Sequence, residues 1–158
     1  MSDKNQKILL VDDNPSIRRI GKFMLEENYE VVTSNDGKEG VQAAKKENPD
    51  LILMDVQMPN MTGIEATKAI KADPKTTNIP IVIVSGQGKD TEVMEGMQAG
   101  VEDYVVKPFD AEDLNRKIKK YIRNTGAKKD TSGGKKGKLI IGAIVIILII
   151  YVVYKLLV

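Results

Sequence analysis

The sequence predicts an α/β fold with an open, parallel five-stranded sheet in its first 124 residues. Two observations carry that expectation. Short apolar runs alternate with helix-period segments, and three of the runs, KILLV (7–11), DLILM (50–54) and IVIV (81–84), are almost wholly apolar. An uninterrupted run marks a strand buried on both faces, as in a parallel sheet covered by helices on either side.

Each element has its own signals. After the first strand, Asn14 and Pro15 suit the N-cap and first helical position. They open a helix to about Asn28, with Ile17, Ile20, Met24 and Leu25 on its inner side. Residues 30–33 form a short strand and 36–48 a helix, which Asn48-Pro49 stops. Residues 50–54 are the next strand, 61–72 a helix, and 81–84 a strand. A helix at 90–99 is closed by Gly100, followed by a strand at 104–106 and a last helix at 110–123. Right-handed crossovers place helices on both faces of such a sheet.

Charge divides the chain. Up to Asn124 there are 18 Lys/Arg against 21 Asp/Glu, a net of −3; beyond it, six Lys against one Asp give +5. The globular part is therefore mildly acidic and lacks the basic face that nucleic acid requires. No Cys is present, which excludes disulfides and thiolate chemistry, and no His, which excludes an imidazole base or ligand. MSDKNQK has no positive-then-apolar leader, so the globular part is expected in the cytoplasm.

Ligands of open α/β sheets bind beyond the carboxyl ends of the strands. Asp12 and Asp13, Asp55, Ser85 and Lys107 stand at those ends. Adjacent carboxylates raise each other's cost of ionisation, and a helix cap needs only one of them, so a positive partner is expected. Three carboxylates without His or Cys suit a hard divalent cation such as Mg²⁺. With an ammonium and a hydroxyl beside them, they form a set suited to phosphoryl transfer, in which Asp can serve as nucleophile. Taken singly, each residue has an ordinary explanation in turn or surface chemistry. Their coincidence at four strand ends does not.

Four stretches carry these residues: VDDN (11–14), LILMDVQMPNMTG (51–63), IVIVSG (81–86) and AGVEDYVVKPF (99–109). Together they resemble the receiver domain of two-component response regulators, over roughly residues 5 to 124. The resemblance implies a flavodoxin-like strand order, 2-1-3-4-5. It also implies that Asp55 is the phosphoacceptor. Asp13, Asp55 and the backbone carbonyl of Gln57 would bind Mg²⁺ directly, with Asp12 acting through water. Ser85 and Lys107 would contact the phosphoryl group, Lys107-Pro108 would be cis, and Tyr104 would be the aromatic that swings inward when Ser85 moves. Thr62 stands where relatives often have Asp or Asn, and it can still cap a helix.

A chain without His must receive its phosphoryl group from a partner, either a sensor histidine kinase or a phosphotransfer protein. It would act on itself rather than as a turnover enzyme. Its response would reach a still unidentified output protein, or a phosphorylation-dependent homodimer, through residues 90–123. Three other readings share features with this one. A phosphate sink or a non-phosphorylated scaffold would keep the fold. A Mg²⁺-dependent phosphatase with an Asp nucleophile wants D-x-D, and Asn14 stands at the second position. A flavin carrier wants a Ser/Thr/Gly-rich phosphate loop after the first strand, where this chain has DDNP.

Residues 125–138, TGAKKDTSGGKKGK, read as a flexible basic linker, and 139–158, LIIGAIVIILIIYVVYKLLV, as a single transmembrane helix. Twenty helical residues reach about 30 Å, the thickness of a hydrocarbon core. Five Lys on the near side would hold the receiver in the cytoplasm, anchored to the cell membrane. Lys155 would snorkel to the far interface, at a depth that suits Tyr151 and Tyr154.

Overall fold

In the computed structural model, residues 6–86 and 90–126 are described. The expected transmembrane segment and residues 127–138 of the expected linker lie outside them, whereas Thr125 and Gly126, expected in the linker, end the last helix. Among the described residues no helix is long and apolar enough to cross a membrane.

The elements run β1 (Lys7–Val11), α1 (Pro15–Leu25), β2 (Glu30–Ser34), α2 (Gly37–Glu47), β3 (Leu51–Asp55) and α3 (Gly63–Ala72). β4 (Ile81–Ser85), α4 (Asp90–Ala99), β5 (Asp103–Val106) and α5 (Ala111–Gly126) complete them. The five strands are parallel in the order β2-β1-β3-β4-β5. Strand residues alternate between two apolar layers. Ile8, Leu10, Leu51, Leu53, Val82, Val84 and Val105 pack with Leu25 of α1 and with Leu114, Ile118 and Ile122 of α5. Leu9, Val11, Ile52, Met54, Ile81 and Ile83 pack with Ala44 of α2, Ile64 and Ile70 of α3, and Ala99 of α4.

Boundaries differ from the sequence reading by one to three residues, and caps explain several of the shifts. Asp36 and Thr62 are N-caps rather than helical residues, and Thr62 forms a full capping box with Glu65. Asn48 ends α2 in the left-handed conformation, with φ 45°. β3 and β4 each run one residue further, taking Asp55 and Ser85 into the ladder.

One expected core residue is corrected. Ile20 is 47% exposed, and Phe23 beside it is more exposed still. The inner side of α1 instead uses Gly21, which is buried with Leu25. A Cβ at Gly21 would lie 2.7 Å from Leu10 Cδ2, so α1 approaches the sheet closely at that point. Spacing alone cannot reveal such a contact, because a glycine carries no apolar signal.

A second close approach shapes the site. A Cβ at Gly63 would stand 1.9 Å from the carbonyl oxygen of Asp55, while the Gly63 N–H donates to Val56 at 2.9 Å. Backbone cannot yield as a side-chain tip can. Gly63→Ala is therefore expected to destabilise the fold by roughly 2–4 kcal/mol, and Gly21→Ala, which meets only the end of a Leu side chain, by about 1 kcal/mol. Urea unfolding of the two variants measures the difference; equal costs would contradict the steric account.

Candidate functional site

The turn after β1 is held at every residue. The Asp12 N–H donates to Ser34 at 3.2 Å, carrying the β1–β2 ladder one step past Val11. Asp12 Oδ1 accepts the Asn14 N–H at 2.9 Å. Asn14 Oδ1 in turn caps α1 by accepting from Ser16 (2.9 Å) and Ile17 (3.4 Å). Arg18 reaches back from α1, and its Nη1 donates to the carbonyls of Asp12 (2.6 Å) and Asp13 (2.9 Å). The two adjacent carboxylates thus part company. Asp12 is 1% exposed, whereas Asp13 is on the surface.

β3 delivers Asp55, 7% exposed, next to Asp12 on the neighbouring strand. Lys107, just past β5, joins them. Its Nζ donates to Asp12 Oδ2 at 2.6 Å and to Asp55 Oδ1 at 3.0 Å. Carboxylate oxygens of Asp12, Asp13 and Asp55 lie within 4.8 Å of one another. One ammonium against three carboxylates leaves two negative charges without compensation, and the donors are all oxygen. Such a set can hold a hard divalent cation.

Ser85, 5% exposed, ends β4, and its carbonyl accepts the Lys107 N–H at 2.8 Å. Lys107-Pro108 is cis, as the resemblance implies. Gln57 is exposed two residues beyond Asp55. Tyr104 packs against the layer that includes α3 and α4, and its hydroxyl donates to the Val93 carbonyl of α4 at 3.1 Å. The structure therefore brings Asp12, Asp13, Asp55 and Lys107 into one cluster, and sets Ser85 at the end of the strand that Lys107 crosses. Tyr104 is engaged with α4.

Two contributors were not evident from the sequence. Arg18 has no local signal, since its role depends on the turn that it clamps. Gly63 stands in the quoted MPNMTG stretch, but only the structure shows why a side chain cannot replace its hydrogen.

The electrostatics are uneven. Burial, the largest influence on Asp55, pushes its carboxyl above the ordinary value, and the opposing hydrogen bond and charge of Lys107 do not cancel it. Burial also pulls on the Lys107 ammonium, but hydrogen bonds and charge from Asp12 and Asp55 outweigh it and raise its pKa.

Comparison with known proteins settles the family. The family model of the response regulator receiver domain matches residues 8–119. The chain belongs to that family. This receiver is 37% identical over 113 residues to the protein PilH of Pseudomonas aeruginosa, covering 71% of this chain and 93% of that one. It is 33% identical to the alkaline phosphatase synthesis transcriptional regulatory protein PhoP of Bacillus subtilis, covering 87% of this chain and 59% of the relative. It is 38% identical to the autoinducer sensor kinase/phosphatase CqsS of Vibrio cholerae, covering 77% of this chain and 18% of that one. The receiver thus spans about half the length of the transcriptional regulators it matches and a small part of the sensor kinase. Among solved structures, the chemotaxis protein CheY4 of Vibrio cholerae aligns with TM-score 0.71 and 35% identity, covering 73% of this chain and 98% of that chain. The receiver domain of the sensor kinase PA1611 of Pseudomonas aeruginosa, with magnesium coordinated in its active-site cleft, aligns with TM-score 0.70 and 34% identity. That match covers 74% of this chain and 97% of that one.

A pH prediction follows from Asp55. Its folded pKa lies above the unfolded one, so the ionised group costs stability at every pH above the folded value. The cost fades as pH falls through that value towards the unfolded one. Asp55→Asn is therefore expected to raise the melting temperature near neutral pH without divalent cation, with a gain that shrinks on acidification. Melting curves across pH measure it; a gain that grows towards low pH would contradict the burial argument.

Proposed function

We propose that this receiver accepts a phosphoryl group on Asp55 from a partner phosphohistidine, in the presence of Mg²⁺, and relays the change to a protein partner. The observation that carries the proposal is the Lys107 ammonium, bonded at once to Asp12 and to Asp55. In the reaction an Asp55 oxygen forms the new P–O bond while the donor's P–N bond breaks, its electron pair leaving with the imidazole nitrogen. Lys107 supplies positive charge beside the phosphoryl oxygens, and Asp12 keeps that ammonium in place. Asp13, Asp55 and the Gln57 carbonyl would hold Mg²⁺, with Asp12 near it; when bound, the cation supplies further charge neutralisation. Support comes from the oxygen-only donor set and from the magnesium named for the PA1611 receiver.

The phosphoryl group on Asp55 then biases a two-state equilibrium through Ser85, Lys107 and Tyr104. In this reading the chain is modified rather than being a turnover enzyme.

The proposal extends to location. Residues 139–158 anchor the chain in the cell membrane as a single span, with the receiver on the cytoplasmic side. Support comes from the sequence: sixteen residues from Leu139 to Tyr154 carry no charge, and the lysines of 125–138 precede them.

Three outcomes are expected. Asp55→Asn abolishes labelling by a small phosphodonor, Asp13→Ala removes its Mg²⁺ dependence with most of the labelling, and Lys107→Ala leaves a reduced level. Intact-mass measurement after incubation with acetyl phosphate reads all three, and retained labelling of Asp55→Asn would move the nucleophile elsewhere. For the anchor, fractionation should find the full chain in membranes, resistant to high salt and alkaline wash, while a chain ending at Lys138 is soluble. Release of the full chain by salt alone would overturn the anchor and leave the phosphoryl chemistry standing.

A further inference from the structure

Gly96, in the penultimate turn of α4, is buried. A Cβ built there would stand 1.7 Å from the Tyr104 hydroxyl oxygen and 2.9 Å from Cζ, with Ile64 Cδ1 of α3 at 3.4 Å. The ring end of Tyr104 therefore fills the space a side chain would need. The same hydroxyl donates to the Val93 carbonyl at 3.1 Å, one turn earlier in α4. We infer that Gly96 is a positioning residue: a notch in α4 that admits the Tyr104 hydroxyl and so ties the end of β5 to α4.

The notch is held in place. The Gly96 carbonyl accepts the Val101 N–H at 3.1 Å, and that of Met97 accepts the Gly100 N–H at 3.1 Å, with Gly100 at φ +95°. This pair of bonds is a Schellman cap. Val101 packs into the layer beneath α4. The cap fastens the last turn of α4 to the chain entering β5, so the helix cannot slide to make room for a methyl group. A larger residue at 96 must instead expel the ring or lift the helix. Either response alters an exposed apolar surface, since Met94 and Met97 of α4 and Val106 of β5 are all exposed.

The consequence for signalling rests on the proposed phosphoryl site. Tyr104 lies on β5, three residues before Lys107, and Ile83 is its partner on β4, two residues before Ser85. On that reading the engaged ring belongs to the phosphoryl-bound arrangement, so filling the notch must weaken anion binding at Asp55, because coupling between two sites is reciprocal.

The test is a double-variant cycle in the full chain: Gly96→Ala, Tyr104→Phe and both together. Alanine is the better helix former, so without a collision it stabilises. With Tyr104 present, Gly96→Ala should lower the melting temperature; with Phe at 104, which removes the 1.7 Å collision and leaves only Cζ at 2.9 Å, the loss should be much smaller. A shift of the same sign and size in both backgrounds would overturn the notch. Should Gly96→Ala alone not fold, the double variant decides: folded supports the notch, unfolded overturns it. Titration with beryllium fluoride and Mg²⁺, a phosphoryl-shaped probe, reads the coupling. Gly96→Ala should bind it at least about fivefold more weakly than the unsubstituted chain, and equal affinity would overturn the coupling. If the unsubstituted chain binds no probe at all, the phosphoryl site falls, and with it the coupling, while the melting cycle still decides the notch.

Discussion

Two nearly buried carboxylates, Asp12 and Asp55, share one ammonium that lies between them. Lone ionised groups at that depth would carry a desolvation penalty of several kcal/mol each. Lys107 offsets part of it by bonding to both, across sequence separations of 95 and 52 residues. The strand order makes this reachable. Placing β1 beside β3 sets Asp12 next to Asp55, and β4 between β3 and β5 means that Lys107 must cross the end of β4. Ser85, small and buried, ends that strand. A different order of the same strands would leave the carboxylates apart.

The compensation is incomplete, and that is where chemistry enters. Asp55 remains harder to ionise than an ordinary carboxylate despite its ammonium partner. A site with residual negative charge, one exposed carboxylate and two buried ones favours any process that brings in positive charge or spreads the negative. Arg18 contributes without touching the carboxylates. By fixing two carbonyls of the turn, it sets Asp12 inward and Asp13 outward.

Much of this was legible in the sequence because buried parallel strands write themselves as apolar runs. All five strands and five helices were found, and the four chemical side chains of the cluster were named from strand ends alone. Apart from Arg18, what the sequence hid has one physical character. Gly21, Gly63 and Gly96 each matter through a missing Cβ, whose importance depends on what another element places there. Ile20 misled for the converse reason. It has helical spacing and the right chemistry, yet Gly21 brings the helix against the sheet and leaves Ile20 facing outward. Periodicity records which residues are apolar, not how closely a helix approaches.

These glycines also divide the labour of the fold. Gly63 lets α3 begin against the backbone of Asp55 itself, so the residue that carries the charge is braced from behind by an element that cannot shift. Gly96 lets an aromatic from the edge strand enter a different helix, and that contact rests on one hydroxyl and one notch. The first contact is backbone against backbone, which offers no alternative arrangement. The second is a side chain on the sheet edge, which has rotamers to choose among. Rigidity at the carboxylate and choice at the edge are what a phosphoryl-driven switch requires, and here both come from the same device, a helix glycine placed against a strand.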